Sequence, residues 1–411
     1  MSDYLSLFKH RNFTLMTVAD AVSVLGDQIG WVALLWFAMI TTGHAGTMGA
    51  LALAFGLPGV LLGAVVGNIL DRTSHKKILV AANLLLGAVF MTIPLLYQMY
   101  ALPLPVLFVL VVIAGCLTPF TSVGWMVIVP KLVAEDSLGL ANSVVETIWN
   151  GASLLGPLAG GLLIAKFGAP MAVLADGLSF WLAALCVWLI KEDRMDKARS
   201  SAGSAEGAAQ PRASFLQATW HGFKVLYGLK AVWWITLGAV FINLAYGQLE
   251  VSLPLFTHNE LSRSAVILGS FWTTYFISSL IGSALSGLLG KNQRTGMLMA
   301  LMVIAWGFSF VPMIWFHRLW VTYVLLALAG LFFSGFPALA RTAVQRLVPR
   351  EYQGRVLGIR GSMIALGVPM GSYLSGTLGV WMAPSSVIGL TGFFVVFVGF
   401  GLLSVRSFRS I

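Results

Sequence analysis

The sequence predicts an all-α membrane protein of twelve transmembrane helices in two pseudo-symmetric six-helix bundles. Composition is the first reason. Of 411 residues, 58% are hydrophobic and 10% charged, against the roughly 25% charged of a soluble domain, so water is not the solvent for most of this surface. Run length is the second: apolar stretches of about 20 residues recur, the length that crosses ~30 Å of hydrocarbon at 1.5 Å per residue. Lipid gives a free backbone group no partner, which leaves helices or a closed barrel; continuous apolar runs select helices. The third is an internal repeat. Leu132-Val133, Gly139, Gly156 and Gly161 recur 215 positions later as Leu347-Val348, Gly354, Gly371 and Gly376.

In chain order the spans fall at 12–40, 46–70, 78–98, 103–129, 138–165, 170–190, 231–256, 264–289, 295–315, 319–345, 354–378 and 384–405. The first carries Asp20 and Asp27 and is too long and polar for a signal-peptide core, so no cleavage is expected. The net charge of +10 could suggest nucleic acid, but its distribution explains it. With the N-terminus inside, every Lys and Arg except Lys166, Arg263 and Arg318 falls on the cytoplasmic side or at a cytoplasmic helix end, the positive-inside bias. No nucleic-acid partner is needed. The expected setting is a bacterial-type inner (plasma) membrane, multi-pass, with both termini cytoplasmic and the chain a monomer. Cys116 and Cys186 lie in apolar spans and read as packing residues.

Residues 191–214, charged and then rich in Ser, Gly and Ala, bury too little to fold and read as a cytoplasmic linker. In 215–229, Leu216, Trp220, Phe223 and Tyr227 share a helical stripe. That fits a short helix lying in the interface, or an extension of the seventh span. The expected domains are 1–190, a linker region 191–230, and 231–411. Between spans 2 and 3 stands a dense charged turn with Gly67, Asp71, Arg72, Lys76 and Lys77. A weaker echo runs from Gly287 through Lys291 to Arg294.

No G-x-x-x-x-G-K-[ST] loop is present, so ATP is not expected to drive this chain directly. No Cys/His cluster has metal spacing, and no nucleophile–base pair marks an enzyme; no cofactor is expected. The chemistry must lie in the intramembrane acids, since a charged acid at the centre of a span costs ~2.5–3.5 kcal/mol by insertion scales. Asp20, Ser23 and Asp27 share one face of span 1. Asp27, near mid-membrane, is the leading candidate for proton coupling or substrate sensing; Asp20, nearer the end, is open to structural bonding or solvation. Asn142, Glu146 and Asn150 form a stripe on span 5, and Asn243, Tyr246 and Glu250 one on span 7. Either stripe can line a wet cavity or join helix to helix, and Glu250 can attract cations at a rim or form an outer gate. Asp176 lies within two turns of the outer end of span 6, where a coupling acid and a solvated or capped acid are both open. Gly151, Gly156, Gly160 and Gly161 allow close helix approach, and Pro157 favours a kink. Arg341, Arg346, Arg350, Arg355 and Arg360 mark the region of the second half that corresponds to the charged turn.

These residues resemble the major facilitator superfamily over essentially the full chain. The turn from Gly67 to Lys77 is similar to the family's loop 2–3 signature. Gly156-Pro157-Leu-Ala-Gly160-Gly161 resembles the antiporter signature of drug-exporting members, although Ala152 stands where that signature has its first Gly. Phe8-Lys9-His10-Arg11-Asn12-Phe13 with Leu25-Gly26-Asp27 resembles the macrolide-efflux and siderophore-exporter branch. The resemblance implies an exporter of bulky amphiphilic or drug-like compounds that works by proton antiport and alternating access. It also implies a cytoplasmic gate at Gly67, Asp71, Arg72 and Lys76, and a leak-proof seam at Gly151, Gly156, Pro157, Gly160 and Gly161. Family members often carry an Arg in span 4, but 103–129 has no charge. Together with Ala141-Asn142 and Glu146, that keeps a lysophospholipid transporter of the same fold as the alternative cargo reading, beside a siderophore exporter. A non-transporting membrane receptor is the alternative from a different class.

Overall fold

The computed structural model describes residues 7–100, 102–133, 137–190, 215–289, 295–349 and 352–411. It is helical throughout this length. The first half gives α1 (Arg11–Thr42), α2 (Ala45–Arg72), α3 (His75–Gln98), α4 (Leu104–Leu132), α5 (Leu138–Phe167) and α6 (Ala169–Trp188). A separate α7 (Phe215–Gly228) follows, broken from α8 (Lys230–Leu255) at Leu229, so the stripe after the linker is a helix of its own and not an extension of span 7. Then come α9 (Ala265–Leu289), α10 (Thr295–Phe308), α11 (Leu319–Phe333), α12 (Gly335–Leu347), α13 (Gln353–Ala365), α14 (Gly367–Leu378), α15 (Pro384–Ser404) and the short α16 (Arg406–Arg409).

Eleven helical stretches among the described residues are long and apolar enough to cross a membrane. The predicted span at 354–378 is the twelfth, divided into α13 and α14 at Leu366, just before Gly367 and Pro369. Proline removes a backbone donor and interrupts the ladder there. Leu61, Leu85, Leu182 and Phe397 stand exposed on their helices, the surface that lipid rather than water covers. Two reversals need a positive φ, at Gly43 between α1 and α2 and at Gly168 between α5 and α6, and glycine supplies it without a Cβ clash. The linker 191–214 and the charged echo at 290–294 lie outside the described residues.

Contacts divide the chain into two compact units. One is Met1–Phe37 with Leu57–Pro211; the other is Ala38–Gly56 with Arg212–Ile411. In the first unit α3 and α6 pack along their length. A Cβ on Gly87 would lie 2.8 Å from the Gly177 carbonyl oxygen, so only glycine permits the crossing. Beside it the Trp181 indole N–H donates to the Leu84 carbonyl at 3.1 Å, and Phe90 stacks on Phe180. At the linker end the Lys76 ammonium donates to the Ile190 carbonyl at 2.7 Å, over a core that includes Phe13, Met16, Leu79 and Val187. Lys76→Met should lose this charge-assisted bond, worth about 1.5–3 kcal/mol, and lower the thermal midpoint. An unchanged midpoint in detergent would show that the bond contributes nothing.

The second unit repeats the pairing pattern of the first. There α8 packs on α14, α9 on α11 and α10 on α15. In sequence order these are spans 7 with 11, 8 with 10 and 9 with 12; in the first unit α5 meets α1 at Gly156 and Gly160, α2 meets α4 at Gly59, and α3 packs on α6. At one end of this unit the Glu260 carboxylate accepts from the Ser385 backbone N–H at 2.7 Å and meets His317 at 3.4 Å. An acid at the first turn of α15 satisfies a free amide and complements the helix dipole.

Candidate functional site

The first unit gathers three of the predicted acids. Asp20 and Asp27 stand two turns apart on α1, and Asp176 enters from α6. Asp27 is near enough to feel the charge of Asp20, and Asp176 that of Asp27. The local sequence builds this meeting. A side chain at Gly30 would overlap the Asp176 carboxylate, with a Cβ 2.5 Å from its Cγ. A Cβ at Gly26 would lie 2.6 Å from Ser179 Cβ and 2.9 Å from Asp176 Oδ1. Two glycines four residues apart therefore let α6 lie against bare α1 backbone. The next residue on α6, Gly177, faces α3, where a Cβ would lie 3.1 Å from the Gly87 carbonyl oxygen.

Burial separates the three acids. Asp176 is 1% exposed and Asp20 6%. The readings of Asp176 and Asp20 as solvated acids are corrected: helix packing covers both. Ser179 Oγ donates to the Asp176 backbone carbonyl at 2.7 Å and approaches its carboxylate at 3.4 Å. Asp20 Oδ2 is buried without a hydrogen-bond partner among the described residues. Asp27 is exposed, so it is the member of the three that water and solutes can reach. Among the described residues, no Lys, Arg or His forms an ion pair with any of the three.

The other expected residues are more dispersed. Glu146 is exposed on α5 with Asn142 and Asn150. Glu250 is half-buried on α8 of the second unit, one turn from Tyr246. Of the glycine seam, Gly156 and Gly160 close on α1. A Cβ at Gly156 would meet Gln28, and one at Gly160 would lie 3.3 Å from the Ile29 backbone. Pro157 lies inside α5, and Gly161 is buried. Gly151 is a correction to the expected seam: among the described residues nothing lies within 4 Å of a Cβ there, while its neighbour Ala152 is buried. At the charged turn Gly67, Asp71 and Arg72 end α2, but their side chains lie outside the described residues; Lys76 holds α3 to the end of α6.

Sequence reasoning missed Gly30 and Ser179. The four-residue spacing of Gly26 and Gly30 inside an apolar span was the available signal for the first. It also missed the ring cluster around Tyr246 in the second unit. Aromatic residues on four separate helices carry no shared sequence pattern.

Two internally repeated six-span halves with acids inside the spans define a polytopic α-helical membrane protein of transporter type. The description Major Facilitator Superfamily matches at residues 16–298 and 260–410, and the chain belongs to that superfamily. It is 23% identical over 369 residues to macrolide efflux protein A of Streptococcus pyogenes, covering 88% of each chain. To the multidrug efflux pump Tap of Mycobacterium tuberculosis it is 26% identical over 377 residues, covering 89% of this chain and 86% of that one. Among solved structures it resembles the nucleoside transporter NupG (TM-score 0.77, 11% identity, 96% and 98% coverage). It also resembles a bacterial homologue of the lysosomal transporter Spinster (0.70, 12%, 98% and 96%). At these identities the last two likenesses speak for the fold.

Proposed function

We propose that this chain is a secondary active exporter of bulky amphiphilic, drug-like compounds, driven by proton entry and working by alternating access. Macrolide and multidrug efflux among its relatives supports the cargo class. The observation that carries the mechanism is the acidic cluster: one reachable carboxyl, Asp27, beside two buried ones, Asp20 and Asp176, with no cation paired to them among the described residues. A carboxyl in a low-dielectric site holds a proton when water leaves and gives it up when water enters. A membrane potential of 100 mV supplies ~2.3 kcal/mol per charge moved. Asp27 takes and releases the proton in this scheme, and Asp176 and Asp20 set the field it feels. Glu146 and Glu250 are the further acids that face solute. The turn at Gly67, Asp71 and Arg72 acts as the latch of the cytoplasmic end, with the protein monomeric in the plasma membrane and both termini inside.

The test is transport of a fluorescent amphiphile in proteoliposomes under an imposed pH gradient. Asp27→Asn should abolish the gradient-driven part of the flux, at least tenfold, while passive binding persists. Asp176→Asn should reduce it less. Native flux that ignores the gradient would overturn proton coupling. It would favour the lipid-moving reading, which the uncharged span at 103–129 supports.

A further inference from the structure

Outside the acidic cluster, the second unit brings two cations together inside predicted spans. Arg341 stands on α12 and Arg360 on α13, near enough for the charge of one to act on the other. The chain passes from the end of α12 at Leu347 to the start of α13 at Gln353 in a few residues, so those two helix ends lie on one side. Each arginine is about two turns from its own end, roughly 10 Å along the axis, and the two therefore share one depth. Both helices pack on α8. Among the described residues, neither arginine forms an ion pair with a carboxylate.

The two guanidinium groups differ in access. Arg360 is half-buried, and its Nε is covered and has no hydrogen-bond partner among the described residues. Arg341 is exposed. Beside Arg360 the helix is bare. Gly358, Gly361, Ser362 and Ala365 are exposed on one face of α13, and no described residue stands within 4 Å of a Cβ at Gly358 or Gly361. Open space thus adjoins the pair. The positive-inside bias accounts for cations in loops and at helix ends. It does not account for two like charges held near each other within spans, where each charge is costly. An oxyanion between them would relieve the repulsion and accept from the planar N–H forks that guanidinium presents. A phosphate monoester brings three acceptor oxygens to two such forks, one more than a carboxylate has.

We propose that Arg341 and Arg360 form a subsite for the phosphate group of an anionic amphiphile, with the glycine face of α13 leaving room for the rest of the molecule. The proposal rests on the reading that the protein binds bulky amphiphiles, and it adds a charge preference at the α12–α13 end of the second unit. Arg360 supplies the covered contact and Arg341 the reachable one. A neutral amphiphile with the same chain meets only the apolar walls.

The probe is lysophosphatidic acid, compared with the monoacylglycerol of the same chain, titrated into the purified full-length protein in detergent and counted by native mass spectrometry. The native protein should bind the phosphate-bearing probe at least tenfold more tightly than the neutral one. Arg360→Gln and Arg341→Gln should each weaken that probe by about tenfold and leave the neutral one within about twofold. Arg346→Gln removes an exposed cation from the same helix as Arg341 and should change neither. Arg360→Gln should also melt no earlier than the native protein, because it removes a like charge and no bond. If that variant does not fold, the exposed Arg341 carries the comparison. Glycerol phosphate at the same concentration should not displace the lipid; displacement would mean a site for free anions and overturn the amphiphile. Equal native binding of the two probes, an equal loss in Arg346→Gln, or unchanged binding in Arg341→Gln would each overturn the proposal as well. No gradient or flux enters the measurement, so a failure of proton-driven export in proteoliposomes leaves its result untouched, and the reverse holds too.

Discussion

Gly30→Leu should be among the most damaging single substitutions in the first unit. A Cβ at this position would lie 2.8 Å from Asp176 Cβ and overlap its carboxylate, and the rest of a leucine has nowhere to go while α6 stays against α1. Overpacking of this kind costs about 1–3 kcal/mol when neighbours can adjust. Here the neighbour is held by Ser179 on one side and by the Gly177–Gly87 crossing on the other, so the upper end of that range applies. At about 2–4 °C per kcal/mol, the thermal midpoint should fall by roughly 6–12 °C. Exposure of the buried Cys186 thiol on α6 to a maleimide dye follows the loss directly. Gradient-driven flux should be lost as well, because the same leucine displaces one of the three acids. Gly151→Leu is the matched control, since no described residue stands within 4 Å of a Cβ there, and it should unfold like the native chain. A Gly30→Leu protein as stable as its parent would mean that α6 does not rest on bare α1 backbone.

What the sequence made legible, and what it hid, follows from which interactions have a linear signature. Span length and hydropathy depend only on local composition: eleven of the predicted apolar runs are span-length helical stretches among the described residues, and the run at 354–378 is divided between α13 and α14. The break inside the eleventh was written as Gly367 and Pro369, yet an apolar run of 25 residues conceals whether a proline bends or divides its helix. Asp20 and Asp27 were visible as acids on one face of α1, because a helical face has a period. Their meeting with Asp176 was not, because it joins residues about 150 positions apart through glycines that look like ordinary apolar filler. Burial was misjudged for the same reason: distance from a span's end measures depth in the membrane, whereas Asp176 is covered by neighbouring helices at whatever depth it lies. Gly151 erred in the opposite direction. It belongs to the seam by sequence, but the helical phase turns it away from α1 and gives the contact to its neighbours.

The internal repeat makes the second large prediction. Gly156 and Gly371 are equivalent by the 215-residue offset, and each is the point where the fifth span of its half meets the first. They are not equally tolerant. At Gly156 the atoms in the way are Gln28 Cβ and Cγ; Cβ is fixed by its own backbone and α1 must give slightly, but Cγ can turn aside and the nearest backbone atom, Cα, stands 3.6 Å away. At Gly371 they are backbone: a Cβ would lie 2.7 Å from the carbonyl carbon of Leu244 and 3.0 Å from its Cα. Backbone cannot rotate out of the way, so α8 and α14 must separate. Their separation would also break the bond from Ser372 Oγ to the Gly247 carbonyl at 3.0 Å and the 2.6 Å contact between the Ser252 and Ser375 hydroxyls. Gly371→Leu should therefore cost more than Gly156→Leu, on the order of 3 kcal/mol or more, and much of the protein should fail to fold. Ser372→Ala gives the scale for the hydrogen bond alone, about 1 kcal/mol, because it leaves the helices in contact. Thermal unfolding followed by the loss of helical circular dichroism, which reports on both units, ranks the three variants. Gly156→Leu ranking below Gly371→Leu would mean that the side-chain neighbour, and not the backbone one, is the rigid wall. The repeat would then govern sequence alone, without governing how the helices carry load.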